Sequence, residues 1–267
     1  MNILDAIVAR RRERLAEEQA ALPLGEVQAR LRDLDDTPRP FAASLRGPQV
    51  RVIAEIKRSS PSQGQMVELL DPRTVAQDYA GGAAAAISVL TEQDHFGGEA
   101  HYLRRARRAM ALPVLRKDFL VDEYHLYESR LLLADAVLLI VRVLAPDQLR
   151  DYLALARELG MDALVETHDA AEVEAALEAR AQVIGINNRD LDSLEISLGV
   201  TAQLASRVPR DRVLVSESGI RSAADVERVA AAGADAVLVG GHLMMAAEPA
   251  HALRALTRIA SSRGERF

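Results

Sequence analysis

Eight short apolar runs, separated at regular intervals by longer amphipathic segments, constrain this chain more than any other feature. The runs are VIAEIK (52–57), AAISVLT (85–91), VLRKDF (114–119), AVLLIV (136–141), DALVET (162–167), VIGINN (183–188), RVLVSES (212–218) and AVLVG (236–240). Each is rich in Val, Ile and Leu and closes on polar residues, which is how strands buried on both faces of a parallel sheet read. The segments between them carry apolar residues at helical spacing. In PDQLRDYLALAREL (146–159) a Pro stands near the start and Gly160 follows the end, as helix termini favour. Eight such alternations predict a closed (β/α)8 TIM barrel, an α/β fold, rather than an open doubly wound sheet. The string ADAVL occurs at 134–138 and again at 234–238, a period that four βα units per half would give.

Residues 1–50 precede the first run and read as an N-terminal helical extension, broken at Pro23 and at Thr37-Pro38-Arg39-Pro40. Residues 51–267 are expected to form the barrel, the two parts making one structural domain. Such an extension can cap the bottom of a barrel or cover its mouth, and the sequence leaves both open. The first residues, MNILDAIVARRRERLAEE, lack the long apolar core of a signal peptide. The apolar run 136–141 stops at Arg142, well short of a membrane span. With no Cys, disulfides and thiolate metal sites are excluded, and a cytoplasmic location is expected. The formal net charge of −6 argues against a nucleic-acid binder but leaves room for a small anionic ligand. The six His residues form no HxxxH or HxH pair, so no metal is expected. His168 and His242, at strand ends, are expected to take hydrogen-bonded loop roles.

Barrel active sites lie at the C-terminal ends of the strands. Those ends carry Glu55 and Lys57, Lys117, Glu166 and His168, Asn187 and Arg189, Glu217 and Ser218, and Gly240-Gly241-His242. Of 33 Lys and Arg residues only Lys57 and Lys117 are Lys, and both fall in this set. Arginine cannot release a proton near neutrality, whereas lysine can. Two lysines converging with three carboxylates point to acid–base chemistry. Gly219, Gly240 and Gly241, with Ser60 and Arg189, suit a phosphate, although Arg189 could instead pair with Asp190 or Asp192. An apolar wall is offered by Phe96, Phe119, Leu138, Leu191 and Leu194.

VIAEIKRSSPSQG (52–64), SVLTEQDHFGG (88–98), LPVLRKDF (112–119), LVETHD (164–169), IGINNRDL (184–191), SESGI (216–220) and GGHLM (240–244) occur in this order. Together they closely resemble the indole-3-glycerol phosphate synthase family of tryptophan biosynthesis, over nearly the whole chain. The resemblance implies decarboxylative ring closure and dehydration of 1-(2-carboxyphenylamino)-1-deoxyribulose 5-phosphate, with no metal and no organic cofactor. It implies Lys117 as the acid of ring closure, Lys57 as the contact to the substrate carboxylate and an acid in dehydration, and Glu166 as the proton-transfer carboxylate. Glu55, Asn187, Glu217 and Ser218 match residues that orient the substrate. Ser60, Arg189, Gly219, Gly240 and Gly241 match the phosphate grip. The partner is then a small anionic phosphorylated substrate, not a nucleic acid or a membrane, and the chain is expected to be a monomer in weak association with other tryptophan-pathway enzymes.

Three positions depart from the family pattern: Gly-Gly-His before Leu-Met, Leu133 in place of a Gly, which concerns packing beside the fourth strand, and His125 in place of a Gln. Two alternatives stand beside this reading. One is a phosphosugar aldolase using Lys117 or Lys57 as a Schiff-base nucleophile. The other is a barrel that binds a phosphorylated metabolite without catalysis. The lysine pKa values are left open, because desolvation lowers them and nearby carboxylates raise them.

Overall fold

The computed structural model describes residues 3–61 and 64–263, so that Ser62 and Gln63 of the SSPSQG segment lie outside it. Three helices come first: α1 (Ile3–Ala21), α2 (Leu24–Arg32) and the single turn α3 (Phe41–Ser44). The strands follow as β1 (Arg51–Ile56), β2 (Ala86–Leu90), β3 (Val114–Lys117), β4 (Ala136–Ile140), β5 (Asp162–Thr167), β6 (Val183–Asn187), β7 (Val213–Glu217) and β8 (Ala236–Val239). Each falls within its apolar run, save that β1 begins one residue earlier, at Arg51. They pair in parallel with their sequence neighbours, and β8 closes on β1 through Arg51 opposite Ala236. The predicted closed barrel is what forms.

Helices α4 (Pro72–Gly81), α5 (Ala100–Ala109), α6 (Glu123–Leu131), α7 (Pro146–Glu158), α8 (Ala170–Glu178), α9 (Gly199–Leu204) and α10 (Ala223–Ala232) carry the chain back between strands. After β8 come a single turn, α11 (Gly241–Met244), and α12 (Pro249–Leu256). Local chemistry starts several of them. Asp122, Asp169 and Ser222 accept the N–H of Tyr124, Glu172 and Asp225, caps worth about 1 kcal/mol each. Among the described residues no helix is long and apolar enough to cross a membrane.

Side chains alternate across each strand. One series, including Val52, Ala54 and Ile56 on β1, packs outward against the helices. The other fills the barrel interior with Ile53, Leu115, Leu138, Leu164, Val183, Val215 and Leu238. Continuing that inward series by two residues from Ile53, Leu115, Leu164 and Val215 reaches Glu55, Lys117, Glu166 and Glu217. The same step from Leu238 reaches Gly240, and from Val183 it reaches Gly185 and then Asn187. The polar layer therefore sits directly on the apolar one, a consequence of period two in every strand.

The N-terminal segment covers both ends of the barrel. Ile3, Leu4 and Ile7 of α1 line the cavity at the C-terminal mouth. Arg14 holds α1 to Asp94 beyond β2, and Arg11 lies 3.4 Å from Asp118 beyond β3. His125, the departure from Gln, faces Glu18 of α1 at 3.5 Å. The chain then descends beside α6 and plugs the opposite end. There Phe41 and Leu45 are fully buried in the interior cluster, each worth about 1.5–3 kcal/mol. The Arg39 and Ala42 N–H groups donate to Asp135 and Asp162 at 2.7 and 2.8 Å.

The sequence echo has a structural counterpart. Asp135 accepts the Val114 N–H and pairs with Arg107, while Asp235 accepts the Leu214 N–H and pairs with Arg263. Just before each repeat the chain takes a left-handed residue, Gly233 at φ +111° and Leu133 at φ +69°. The Leu133 departure thus bears first on the backbone, and beyond packing: a branched side chain stands where the echo uses Gly, at a cost of about 1 kcal/mol.

Candidate active site

All seventeen residues proposed from sequence for catalysis, phosphate binding or the apolar wall line one cavity of about 310 Å³ at the C-terminal end of the barrel. Its floor is the polar layer. Lys117, the last residue of β3, reaches across the barrel to Glu166 at 3.1 Å and Glu217 at 3.7 Å. Glu166 also accepts the Asn187 side-chain amide at 3.1 Å. On the other side Lys57 pairs with Glu55 at 2.8 Å. These carboxylates are almost wholly buried, and the Glu217 Oε1 has no hydrogen-bond partner among the described residues.

Three carboxylates against two ammonium groups set the electrostatics. For Lys117, burial alone favours the neutral amine, but Glu166, Glu217 and Glu55 together raise its pKa above that of an ordinary lysine. The amine stays charged at neutral pH. Glu217 moves the other way for a carboxyl: burial and the charge of Glu166 push it up to about 8. Glu166 is held below the usual carboxylate range, since Lys117 and His168 outweigh its burial. A Schiff-base nucleophile needs a free amine, so the charge on Lys117 disfavours the aldolase reading.

Two glycines make room for this layer. A Cβ on Gly185 would lie 2.1 Å from Glu217 Oε1, and one on Gly240 would lie 2.3 Å from Glu55 Oε1 and 2.9 Å from Lys57 Nζ. Gly240 therefore seats the Lys57–Glu55 pair, besides any backbone role toward an anion. Gly185 was not singled out from sequence, because a glycine inside a strand reads only as a weak point. Asn188 fixes the end of β7 by donating to Ser216 Oγ and to the Glu217 and Ser218 carbonyls. Ser218 takes φ +66° and Gly219 φ +90°, so the chain turns sharply just beyond Glu217.

Arg189 donates to the Leu194 carbonyl at 3.2 Å, while Asp190 accepts from Asp192 and Ser193. Arg221 also lines the cavity and its charge faces Arg189. It was missed from sequence, where one arginine among so many carries no signal. Ser60 lies in a short antiparallel ribbon, Ser59–Ser60 against Gly64–Gln65, and its buried Oγ has no partner among the described residues. The apolar wall includes Phe96 and Phe119 with ring centres 6.2 Å apart. Ile3, Leu4 and Ile7 complete it from above. His168, expected in a hydrogen-bonded loop role, does bond Glu172. It also stands against Glu166, which strand-end reading did not foresee.

The fold and this mouth define a (β/α)8 barrel with buried lysines and carboxylates gathered at the C-terminal ends of its strands. The family model for indole-3-glycerol phosphate synthase matches residues 4–256. The synthase of that name from Chlorobium chlorochromatii (strain CaD3) is 46% identical over 254 residues, covering 93% of this chain and 97% of its own. That of Dehalococcoides mccartyi (strain CBDB1) is 45% identical over 257 residues, covering 95% and 99%. The chain belongs to the indole-3-glycerol phosphate synthase family. Two solved barrels share the fold alone. Thiamine phosphate pyrophosphorylase from Pyrococcus furiosus gives a TM-score of 0.57 at 15% identity, over 81% of this chain and 96% of its own. N-acetylmannosamine-6-phosphate 2-epimerase from Clostridium perfringens gives 0.59 at 13%, over 78% and 93%.

Proposed function

We propose a division of labour among these residues for the family's reaction, the conversion of 1-(2-carboxyphenylamino)-1-deoxyribulose 5-phosphate to indole-3-glycerol phosphate, CO2 and water. Lys117 is the acid of ring closure. As the ring carbon bearing the carboxylate attacks the ketone carbon, Lys117 delivers a proton to the ketone oxygen, and CO2 leaves to restore the aromatic ring. Its charged resting state supports this role, because an alkoxide forming in a dry cavity needs both a cation and a proton. Lys57 holds the substrate carboxylate and later protonates the departing hydroxyl. Glu166 takes the proton lost from carbon in that dehydration. Glu55, Asn187, Glu217 and Ser218 orient the substrate's hydroxyl and amino groups.

The phosphate is assigned to Ser60, Arg189 and the backbone at Gly219, Gly240 and Gly241, with Arg221 added as a second cation. The carboxyphenyl ring is assigned to the wall of Phe96, Phe119, Leu138, Leu191 and Leu194, roofed by α1. The observation that carries this reading is that the only two lysines of the chain enter one mouth against three buried carboxylates. The residues assigned here need no group from outside the chain. The chain is further read as a cytoplasmic monomer in weak association with other enzymes of tryptophan biosynthesis. Incubation of the purified chain with the carboxyphenylamino substrate, with and without a chelator, should yield indole fluorescence at equal rates. Binding without indole formation would sink the catalytic assignment, and a chelator-sensitive rate would sink its independence of metal.

A further inference from the structure

His168 follows β5 and lies outside the cavity lining, its side chain only 6% exposed. Its Nδ1 is 3.0 Å from Glu172 Oε2, which also accepts the His168 backbone N–H at 2.8 Å. Its Nε2 is buried, within ion-pair distance of Glu166 Oε1 at 3.4 Å, and makes no hydrogen bond among the described residues. Arg142, in the turn Val141–Val143, secures Glu172 through Nε at 3.0 Å and reaches Asp192 at 3.8 Å. The imidazole therefore lies between an anchored carboxylate on α8 and the Glu166 carboxylate on β5. Glu166 in turn faces Lys117 from β3, Asn187 from β6 and Glu217 from β7.

We propose that His168 is a positioning residue for Glu166: its imidazolium, clamped by Glu172, holds the Glu166 carboxylate in place and ionised while Lys117 gives up its proton. The inference rests on the assignment of Lys117 as acid and Glu166 as base. A carboxylate faces each ring nitrogen, Glu172 at 3.0 Å and Glu166 at 3.4 Å, and two negative charges about one ring favour the imidazolium. Burial by itself would lower the ring's pKa, but Glu166 and Glu172 raise it to about 9. When Lys117 passes its proton to the ketone oxygen it becomes a neutral amine, and Glu55, Glu166 and Glu217 lose that cation together. Without another positive charge, Glu166 would recapture a proton before dehydration needs it as a base. His168 makes no contact with the reaction cavity, so it keeps its own proton throughout and supplies that charge.

Replacing His168 tests this. His168→Asn keeps a donor toward Glu172 and removes the one toward Glu166, whereas His168→Gln returns a neutral donor near the former Nε2. For H168N we expect kcat at neutral pH to fall about tenfold or more, with KM changed by less than about twofold. The acidic limb of the kcat profile should move to higher pH, because Glu166 then protonates more readily. H168Q should regain part of kcat without restoring that limb, since it lacks the charge. An unmoved limb in H168N, or a raised KM with unchanged kcat, overturns the proposal. If H168N does not fold, imidazole 15N titration of the unsubstituted chain decides. The His168 resonance should titrate above the ordinary histidine range and drop in Glu166→Gln, and identical titration in the two overturns the pairing. The kcat of E166Q separates the two readings: near-normal turnover removes Glu166 as base, whatever the titration says of its partner.

Discussion

The two ends of this barrel are both lined with buried charge, and they treat it in opposite ways. At the N-terminal end each aspartate is answered. Asp135 accepts the backbone N–H of Arg39 and Val114 and pairs with Arg107 at 2.8 Å. Asp235 accepts the Leu214 N–H and pairs with Arg263, and Asp162 accepts the Ala42 N–H. At the C-terminal end three carboxylates crowd two lysines, and Glu217 Oε1 is left without a hydrogen bond among the described residues. A satisfied buried network rigidifies a fold, and an unsatisfied one stores free energy that a substrate can release. The lower end is thus built to hold the barrel shut, and the upper to react.

The largest effect that would sharpen this contrast is on rate. Lys117→Arg keeps the positive charge opposite Glu166 and Glu217 and removes the proton that can be transferred. Turnover should fall about a hundredfold or more, while substrate binding and the denaturation midpoint stay close to those of the unsubstituted chain. Near-normal kcat would remove Lys117 as the ring-closure acid. At the other end the signs exchange. Asp135→Ala leaves Arg107 Nε and the Arg39 and Val114 N–H groups without their acceptor, and should cost about 3–5 kcal/mol of stability in urea unfolding. The kcat of the folded fraction should not change. Loss of kcat with unchanged stability would erase the division between the ends.

Much of the upper end was legible because a strand's period fixes direction. Once Ile53 and Leu115 are assigned inward, Glu55, Lys57 and Lys117 must follow them into the mouth. What sequence could not give is whatever depends on partners distant in the chain. Residues 1–50 were readable as a helical extension, but not that Ile3, Leu4 and Ile7 roof the cavity while Phe41 and Leu45 plug the far end. Both functions offered for that extension are realised, by separate parts of it. The direction of the Lys117 shift was equally closed to sequence, because burial and three carboxylates oppose one another and only distance decides. Gly185 was invisible for a related reason: its role is the space it leaves for Glu217, and space has no residue code.

That space leads to the smallest expected effect and the most direct comparison between the ends. Burial and the Glu166 charge raise the Glu217 pKa from 4.5 to about 8, against a lesser opposing pull from Lys117. A carboxyl that binds its proton more tightly when folded means that the folded chain holds more protons than the unfolded one between those two values. Stability then falls as pH rises from about 4.5 to about 8. His168 adds a loss of the same sign between 6.5 and about 9, since its folded pKa is also raised. Glu217→Gln removes the first contribution and leaves the second. The substituted chain should be more stable than its parent at pH 8 by about 1–2 kcal/mol, nearly equal to it at pH 5, and slower in turnover. Urea unfolding at the two pH values measures the difference. Glu217→Gln that destabilises at pH 8 would mean that the mouth's charges are as well answered as those of Asp135 and Asp235, and that the two ends differ in position and not in kind.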